Sequence, residues 1–272
     1  MGELVFLKLG GSLITDEYRY ETPRPAAIAR AAREIMAALQ ARPDLQLVLG
    51  HGSGSFGHFI ADKYHLREGN LQDWRGYAEV AAGAQRLNRL VTDTMLAEGL
   101  RAVSLQPSAS ARCHNGELVE MAVEPLAEML RRGLMPIVYD DVAIDDQRGC
   151  TFISCEEILA HLARRLYPAR VIIADEAAGI YSGDPQRDAV VRLIPEINAR
   201  NYEQIERTLA TSFGTEVDGG TLRQIRLWFQ LVQEQPKLVV QVLTGRRSRL
   251  IERALINPAF REGTLIRHEA SG

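Results

Sequence analysis

Short apolar runs alternate with helical segments along the chain, and the first two runs each end in a glycine-rich loop. Residues 4–9 (LVFLKL) lead into Gly10-Gly11, and residues 45–49 (LQLVL) lead into GHGSGSFGH at 50–58. Runs this apolar are typical of strands covered on both faces, so the alternation predicts an α/β fold with a largely parallel sheet. Ligands bind such sheets at the carboxyl ends of the strands, where both loops lie. Further strands are predicted at 102–105, 135–139, 150–153, 169–174, 238–243 and 264–267.

The helical segments carry recognisable end signals. Pro25 stands where proline is tolerated at a helix start, Gly99 and Gly133 each end a helix, and Ser154 with Glu157 forms a capping box. Helices are predicted at 25–40, 56–65, 73–98, 124–132, 202–209, 222–233 and 251–255, with another after Ser154.

Two stretches predict hairpin turns, Asn115-Gly116 and residues 145–149. Four acids flank the second turn: Asp140, Asp141, Asp145 and Asp146. Carboxylates in this arrangement either hold Mg²⁺ or form a solvated acidic edge, and we expect the edge.

Composition narrows the functional class. The 272 residues are 46% hydrophobic and 25% charged, which is ordinary for a globular chain and excludes a disordered or collagen-like protein. The net charge of −3 does not indicate a positively charged surface that binds nucleic acid. No run approaches the ~18 apolar residues of a membrane helix. Three cysteines without a CxxC pair indicate reduced thiols, so we expect a cytoplasmic protein with neither nucleic acid nor a membrane as partner.

The length fits one large domain or two lobes, at roughly 150 residues per domain. The boundary between the two lobes is predicted near Pro168. It divides the chain into residues 1–168 and 169–272.

The first glycine loop has the residues of an anion site. Gly10 and Gly11 let backbone amides approach an anion closely, and Ser12 follows them. Only three of the 32 basic residues are lysines, and one of them, Lys8, lies at the tip of this strand. Its compact ammonium suits a moving phosphoryl group better than the planar guanidinium of arginine does. The alternative is an ordinary strand-to-helix turn with a surface lysine.

The second loop, at 50–58, is typical of a phosphate cradle before a helix. Gly52, Gly54 and Gly57 also fit GxGxxG, which favours a nicotinamide dinucleotide site instead. Two observations weigh against a dinucleotide site. The motif follows the second strand, whereas a dinucleotide motif prefers the first, and the strand at 102–105 has no acid to bind a ribose. A dinucleotide oxidoreductase therefore remains a minor alternative.

Two histidines border this loop. His58 falls in the first turn of the following helix, where its ring could reach a bound phosphate; otherwise it is a plain helix-face residue. His51 precedes the cradle at the strand end and is expected to be structural.

The motifs together resemble one known family. KLGGS at 8–12, GHGSGSFGH at 50–58 and QPSA at 106–109 resemble the amino acid kinase superfamily, and within it the isopentenyl phosphate kinases. The similarity covers nearly the whole chain, since weaker motifs follow in the family's order. They are VYDDV at 138–142, ISCEE at 153–157, AAGIYSGDP at 177–185 and EVDGG at 216–220.

The resemblance implies a three-layer αβα sandwich and a homodimer. Residues 1–168 would form the lobe that binds the phosphoryl acceptor, and 169–272 the lobe that binds the nucleotide. The implied reaction transfers the γ-phosphate of ATP, with Mg²⁺, to isopentenyl phosphate and yields isopentenyl diphosphate.

Site residues follow from the same resemblance, position by position. Lys8 would stabilise the transferring phosphoryl group, and His58 would hold the acceptor phosphate. The other acceptor-binding positions are Ser53, Gly54 and Cys155. The nucleotide-binding positions are Lys8, Gly10, Gly11, Ser12, Gly54, Asp175, Gly179, Tyr181, Gly219, Gly220 and Gln224. None of these residues is assigned to a metal.

The chain departs from the family pattern at several of these motifs. An aspartate replaces a glycine at Asp140, a thiol replaces a glycine at Cys155, and glutamate replaces aspartate at Glu156. Gln224 stands in place of a lysine, with Arg223 and Arg226 beside it. An acid is missing at Ala178, and Asp16 and Glu17 occupy the place of a second lysine.

These departures keep other functions open. The chain could phosphorylate another small phosphate or phosphonate, or it could be a weakly catalytic binding or regulatory homologue with a decayed ATP site. Cys155 is either a thiol activated at a helix N-terminus or a small buried residue.

Overall fold

The computed structural model describes residues 2–66, 73–183, 191–213 and 220–269. The strands of this part of the chain are β1 (Leu4–Leu9), β2 (Gln46–His51), β3 (Ala102–Ser104), β4 (Arg112–His114), β5 (Glu117–Glu120), β6 (Met135–Tyr139), β7 (Asp141–Asp145), β8 (Gly149–Ile153), β9 (Arg170–Asp175), β10 (Glu196–Ile197), β11 (Val239–Thr244) and β12 (Thr264–Ile266). The α-helices are α1 (Gly11–Ile14), α2 (Pro25–Ala41), α3 (His58–Lys63), α4 (Trp74–Ala97), α5 (Glu124–Arg131), α6 (Cys155–Leu166), α7 (Tyr202–Phe213), α8 (Gly220–Glu234) and α9 (Leu250–Ile256).

Eight strands form the central sheet in the order β10-β12-β11-β9-β1-β2-β6-β3. Their pairings are parallel except that of β11 with β12. β1 lies at the middle, between β2 and β9, so both glycine loops and the end of β9 meet at one edge. The predicted α/β class with a largely parallel sheet is confirmed.

Helices cover both faces of this sheet, which makes the fold a three-layer sandwich. One core packs α2, α4 and α9 against the sheet, and the other packs α5, α6 and α8. Side chains alternate between faces along a strand, so Leu7 and Leu9 of β1 enter the first core and Phe6 enters the second. Lys8 shares the face of Phe6 and therefore points toward the layer that contains α6.

A smaller sheet, ordered β5-β4-β7-β8, stands beside the central one. Its two turns are organised by a single carboxylate, that of Asp145, which accepts hydrogen bonds from the Asn115, Gly116, Gln147 and Arg148 amides and from the Thr151 hydroxyl. Burial acts to raise the pKa of Asp145, but these donors outweigh it and lower that pKa below its ordinary value.

The expectation of a solvated acidic edge is therefore wrong for three of the four acids. Asp140, Asp141 and Asp145 are buried, and only Asp146 is exposed. Backbone N–H groups satisfy the buried carboxylates, which is what makes their burial tolerable. The described residues hold no group of three His, Cys, Asp or Glu side chains arranged for a metal ion.

Most predicted elements lie where the periodicity predicts them, and two strands were missed. The strand at 4–9 and the strand at 135–139 match to the residue, and the capping box at Ser154 and Glu157 is present. β7 was missed because it begins and ends with aspartate, a residue depleted in strands. β10 was missed because it has only two residues. Within the described ranges, no helix is both long enough and apolar enough to span a bilayer.

Candidate active site

The two glycine loops touch each other through their backbones. Gly52 donates its N–H to the Leu9 carbonyl at 3.0 Å. A Cβ at Gly11 would lie 2.7 Å from the Gly54 nitrogen, and a Cβ at Gly52 would lie 2.6 Å from the Gly11 nitrogen. Gly54 also has φ of +46°, which favours glycine. The approach of the loops therefore requires glycine on both sides.

A cavity of about 460 Å³ opens at this edge of the sheet. The sequence-predicted residues that line it are Lys8, Gly11, Ser12, His58, Asp175, Gly220 and Gln224. Of the other described candidates, Gly10, Ser53, Gly54, Cys155, Gly179 and Tyr181 do not line it. Gly219 lies outside the described residues.

Lys8 lines the cavity, and its ammonium group pairs with the carboxylate of Glu156 of α6. Both side chains are buried, and the amide of Gln224 donates to the same carboxylate oxygen of Glu156 at 2.6 Å. Burial acts to lower the pKa of Lys8, but Glu156, Asp140 and Asp175 outweigh it and hold that pKa above its ordinary value. Lys8 is therefore a fixed positive charge at the tip of β1.

Asp140 brings together the second glycine loop and the N-terminus of α6. Its Oδ2 accepts from the Ser53 N–H at 2.7 Å and from the Ser53 Oγ at 3.1 Å, and its Oδ1 accepts from the Cys155 N–H at 2.7 Å. His58 Nε2 lies 3.9 Å from Oδ2. Burial acts to raise the pKa of Asp140, but Lys8, His58 and the backbone donors lower it below its ordinary value.

The side of the cavity near α1 is rich in acids. Ser12 donates its hydroxyl to Asp175, and a Cβ at Gly10 would lie 2.5 Å from that carboxylate. Glu17 also lines the cavity, and its pKa is raised by burial and by Asp175 and Glu176. A polyphosphate on this side would therefore need a cation to offset the acids.

Helix α8 forms the opposite wall. Gly220, Arg223 and Gln224 line the cavity from the first turns of this helix, and a Cβ at Gly220 would have no atom of the described residues within 4 Å. Arg223 pairs with Glu157, and Arg226 donates to Glu206 at 2.6 Å. The side chains of Arg223 and Arg226 are 65% and 56% exposed, so either can turn toward a bound anion.

Cys155 is not an activated thiol. It is fully buried behind Gly50, and burial raises the pKa of its thiol well above the ordinary value, with Asp140 adding to the effect. The N-terminus of α6, which could have stabilised a thiolate, already donates the Cys155 N–H to Asp140. The small-residue alternative is the correct one, and the Cys155 side chain does not reach the cavity.

Gly179 and Tyr181 support the loop after β9. A Cβ at Gly179 would lie 2.7 Å from the Thr264 hydroxyl, and the Ile180 N–H donates to that hydroxyl at 2.8 Å. Tyr181 forms an isolated bridge with Leu193. These contacts hold the loop against β12.

Sequence reasoning missed the contribution of the smaller sheet to the cavity. Gly116, Arg148, Thr151 and Phe152 line it, and the Phe152 ring packs edge-on against His58 at 6.2 Å between centroids. The Asn-Gly signal predicted a hairpin there, but nothing in its spacing indicated that the hairpin would fold over the glycine loops.

His51 is structural, as expected. It is fully buried, its Nδ1 lies 2.9 Å from the Gly52 carbonyl, and its Nε2 lies 3.0 Å from the Asn88 amide nitrogen. A carbonyl accepts and an amide nitrogen donates, so the ring is the neutral tautomer with hydrogen on Nδ1. Burial lowers the pKa of His51 to about 4.

Acid should therefore cost the fold stability through His51. Between pH 6.5 and 4 the unfolded chain binds a proton on this ring and the native chain does not, so the free energy of unfolding falls as the pH falls. The effect is roughly 3 kcal/mol at about 1.4 kcal/mol per pKa unit. Urea unfolding at pH 4.5 and pH 7 should show a smaller difference for His51→Gln than for the wild type.

The matched control is His114→Gln, which removes an exposed histidine. It should keep the wild-type pH dependence of unfolding. An equal pH dependence in His51→Gln and the wild type would contradict a neutral buried His51.

Comparison with known proteins connects this site to a family. Residues 3–240 match the model of the amino acid kinase family. The chain belongs to this family. The chain is 33% identical to an isopentenyl phosphate kinase of Methanothermobacter thermautotrophicus, over 97% of this chain and 98% of the relative. An isopentenyl phosphate kinase of Methanocaldococcus jannaschii is 29% identical over 97% and 98% of the two chains.

Solved structures agree with this assignment. A structure described as an isopentenyl phosphate kinase superposes on this chain with a TM-score of 0.81 and 30% identity, covering 97% of this chain and 100% of the other. A UMP kinase from Bacillus anthracis, at 14% identity and a TM-score of 0.66, shares the fold. As a member of this family with these relatives, the chain is a phosphotransferase.

Proposed function

We propose that this enzyme transfers the γ-phosphoryl group of ATP to isopentenyl phosphate and releases ADP and isopentenyl diphosphate. The observation that carries the proposal is the position of Lys8, a buried cation on the strand between two interlocked glycine loops, at the wall of one cavity. The identity to isopentenyl phosphate kinases over 97% of the chain supports the choice of acceptor.

The nucleotide phosphates would lie against the first glycine loop. The Gly10 N–H already donates to the Ala174 carbonyl at 2.8 Å, so Gly10 would serve only by having no side chain. The amides of Gly11 and Ser12 would be the donors to the anion. Phosphoryl transfer asks the protein mainly for alignment and for positive charge around the moving group. Lys8 would supply that charge, with Glu156 and Gln224 fixing the lysine and limiting its freedom.

The acceptor phosphate would lie on the other side of Lys8, near Ser53, Gly54 and His58. An ionised phosphate oxygen attacks the γ-phosphorus directly and needs no base to remove a proton. His58 can donate a ring N–H to that phosphate, and its packing against Phe152 limits its rotation. The Cys155 thiol faces the core and its backbone N–H donates to Asp140, so Cys155 would shape this subsite without contacting the acceptor directly.

The other roles implied by the resemblance stay proposals. Residues 1–168 would bind the acceptor and 169–272 the nucleotide, with Asp175 and Gly220 beside the ATP phosphates and Gly179 and Tyr181 supporting that loop. Mg²⁺ would enter with the nucleotide, as it commonly does in kinases, and would neutralise phosphate charge beside Asp175. A homodimer and a cytoplasmic location are expected on the same resemblance.

The first measurement is ADP release with Mg·ATP and isopentenyl phosphate, with Lys8→Ala as the control. We expect turnover in the wild type and a loss of at least about 10²-fold in the variant, comparable with removal of one transition-state donor. Isopentenyl phosphonate and other small phosphates, assayed in parallel, test the alternative acceptors.

A second candidate function is acceptor binding without appreciable catalysis. The observation that favours it is the acidic side of the cavity formed by Glu17 and Asp175, together with a glutamine at position 224. A rise in melting temperature with isopentenyl phosphate, and no ADP release, would support this candidate and contradict the kinase proposal. If isopentenyl phosphate produces no turnover and no shift in melting temperature, the choice of acceptor is overturned.

A further inference from the structure

The proposed acceptor subsite already contains an anion of the protein. The Ser53 N–H, the Ser53 hydroxyl and the Cys155 N–H converge on the carboxylate of Asp140, at 2.7, 3.1 and 2.7 Å. Asp140 is 5% exposed and lines the cavity, with His58 3.9 Å from its Oδ2. The Ser53 donors belong to a glycine loop and the Cys155 N–H to a helix N-terminus. Both kinds of group ordinarily bind phosphate.

The interaction of a bound phosphate with this carboxylate depends on the protonation state of the phosphate. A dianionic phosphate brings two negative charges to a carboxylate in a partly desolvated site, where like charges repel strongly. A singly protonated phosphate carries one charge less, and its O–H can donate to an Asp140 oxygen. The repulsion is then replaced by a charge-assisted hydrogen bond.

We propose that Asp140 is a specificity-determining residue that makes the acceptor subsite select the singly protonated phosphate over the dianion. The inference rests on the proposed function only in taking this subsite as that of the acceptor. It follows that the subsite binds phosphate monoesters better on the acid side of their second pKa, near 6 for a monoester.

Other charged or titratable groups face Asp140 from each neighbouring element. They are Lys8 of β1, His51 of β2, His58 of α3, Asp141 of β7, and Cys155 and Glu156 of α6. Of these, Lys8, His58 and Glu156 also line the cavity, and burial raises the pKa of Asp141 to about 6. A test must therefore separate the titration of these groups from the effect of the Asp140 carboxylate.

The test measures the dissociation constant of methyl phosphate for the full chain without nucleotide, at pH 5 and pH 8, by ³¹P NMR titration. The wild type should bind on the order of tenfold more tightly at pH 5, the ratio that about 1.4 kcal/mol of added repulsion produces. Asp140→Gly and Asp140→Asn should bind more tightly than the wild type at pH 8 and should lose most of this pH preference. Two variants are used because the side-chain NH2 group introduced by Asp140→Asn would face a backbone N–H donor of Ser53 or Cys155. Asp140→Gly removes the side chain altogether.

Two controls separate the alternatives. Glu17→Gln removes a carboxylate from the same cavity without freeing those donors, and it should keep the wild-type pH preference. His58→Gln should keep it as well. The inference is overturned if Asp140→Gly retains the pH preference, which would assign it to another titrating group such as His58 or Asp141, or if the cooperatively melting Asp140 variants bind no better than the wild type at pH 8.

Binding by none of these proteins also overturns it, because the Asp140 variants free the Ser53 and Cys155 amides. The proposed reaction stands or falls separately. Turnover of isopentenyl phosphate with pH-independent methyl phosphate binding contradicts only the role of Asp140. The predicted binding pattern without turnover contradicts only the kinase proposal.

Discussion

Lys8→Met should reduce the rate of phosphoryl transfer by roughly 10²–10³-fold or more, the range found when one donor to a transition-state charge is removed. Methionine keeps the length and apolar stem of lysine and removes only the ammonium. The substitution acts at the strand tip between the glycine loops, so substrate binding should change much less than turnover. Initial rates of ADP release at saturating ATP and acceptor measure the effect.

The same change should also lower stability, because it leaves the Glu156 carboxylate buried without its cation. Removing one partner of a buried ion pair typically costs about 3–5 kcal/mol. Burial already raises the pKa of Glu156, so protonation relieves part of this cost. Urea unfolding should therefore show a smaller loss at pH 5 than at pH 8.

A double variant separates stability from catalysis. Lys8→Met/Glu156→Gln removes both charges, and its glutamine can still bond with Gln224. We expect it to regain much of the stability lost in Lys8→Met and none of the activity. Recovery of turnover in the double variant would contradict a direct role for the Lys8 charge, as would wild-type turnover in Lys8→Met alone.

Gly11→Ala should damage both turnover and stability. Its new methyl group would lie 2.7 Å from the Gly54 nitrogen and 2.8 Å from the Gly54 Cα, both backbone atoms that cannot rotate away. The two loops would have to separate, and a displacement near 1 Å can cost about 10²-fold in rate. Overpacking of this kind also costs about 1–3 kcal/mol of stability. Turnover and the urea midpoint measure the two effects.

Gly220→Ala provides the control for an added methyl group in the same cavity. A Cβ at Gly220 meets no atom of the described residues within 4 Å, and the residue lies in α8, where alanine is a better helix former than glycine. Its unfolding midpoint should stay the same or rise slightly. Equal midpoints and equal turnover in Gly11→Ala and the wild type would show that the loops can part without loss.

Sequence periodicity predicted most of the fold because each element expresses its own burial pattern. β1 and β6 are continuous apolar runs, and α6 carries its cap within four residues, so local rules sufficed. β7 and β10 escaped prediction because their strand character comes from partners in space. The pairing of β7 with β8 and the backbone donors to Asp145 make an aspartate-bounded segment a strand.

The candidate site divides in the same way. The sequence by itself determined that two glycine loops and a lysine would stand at the carboxyl ends of neighbouring strands, because strand, glycine and helix signals are local. The motif resemblance added the family. Only the tertiary structure decided that Asp140 accepts hydrogen bonds from the Ser53 and Cys155 amides, that Cys155 is buried, and that Glu156 pairs with Lys8. Those facts depend on where side chains far apart in the sequence meet, and burial and charge at such meetings follow from packing, not from spacing along the chain.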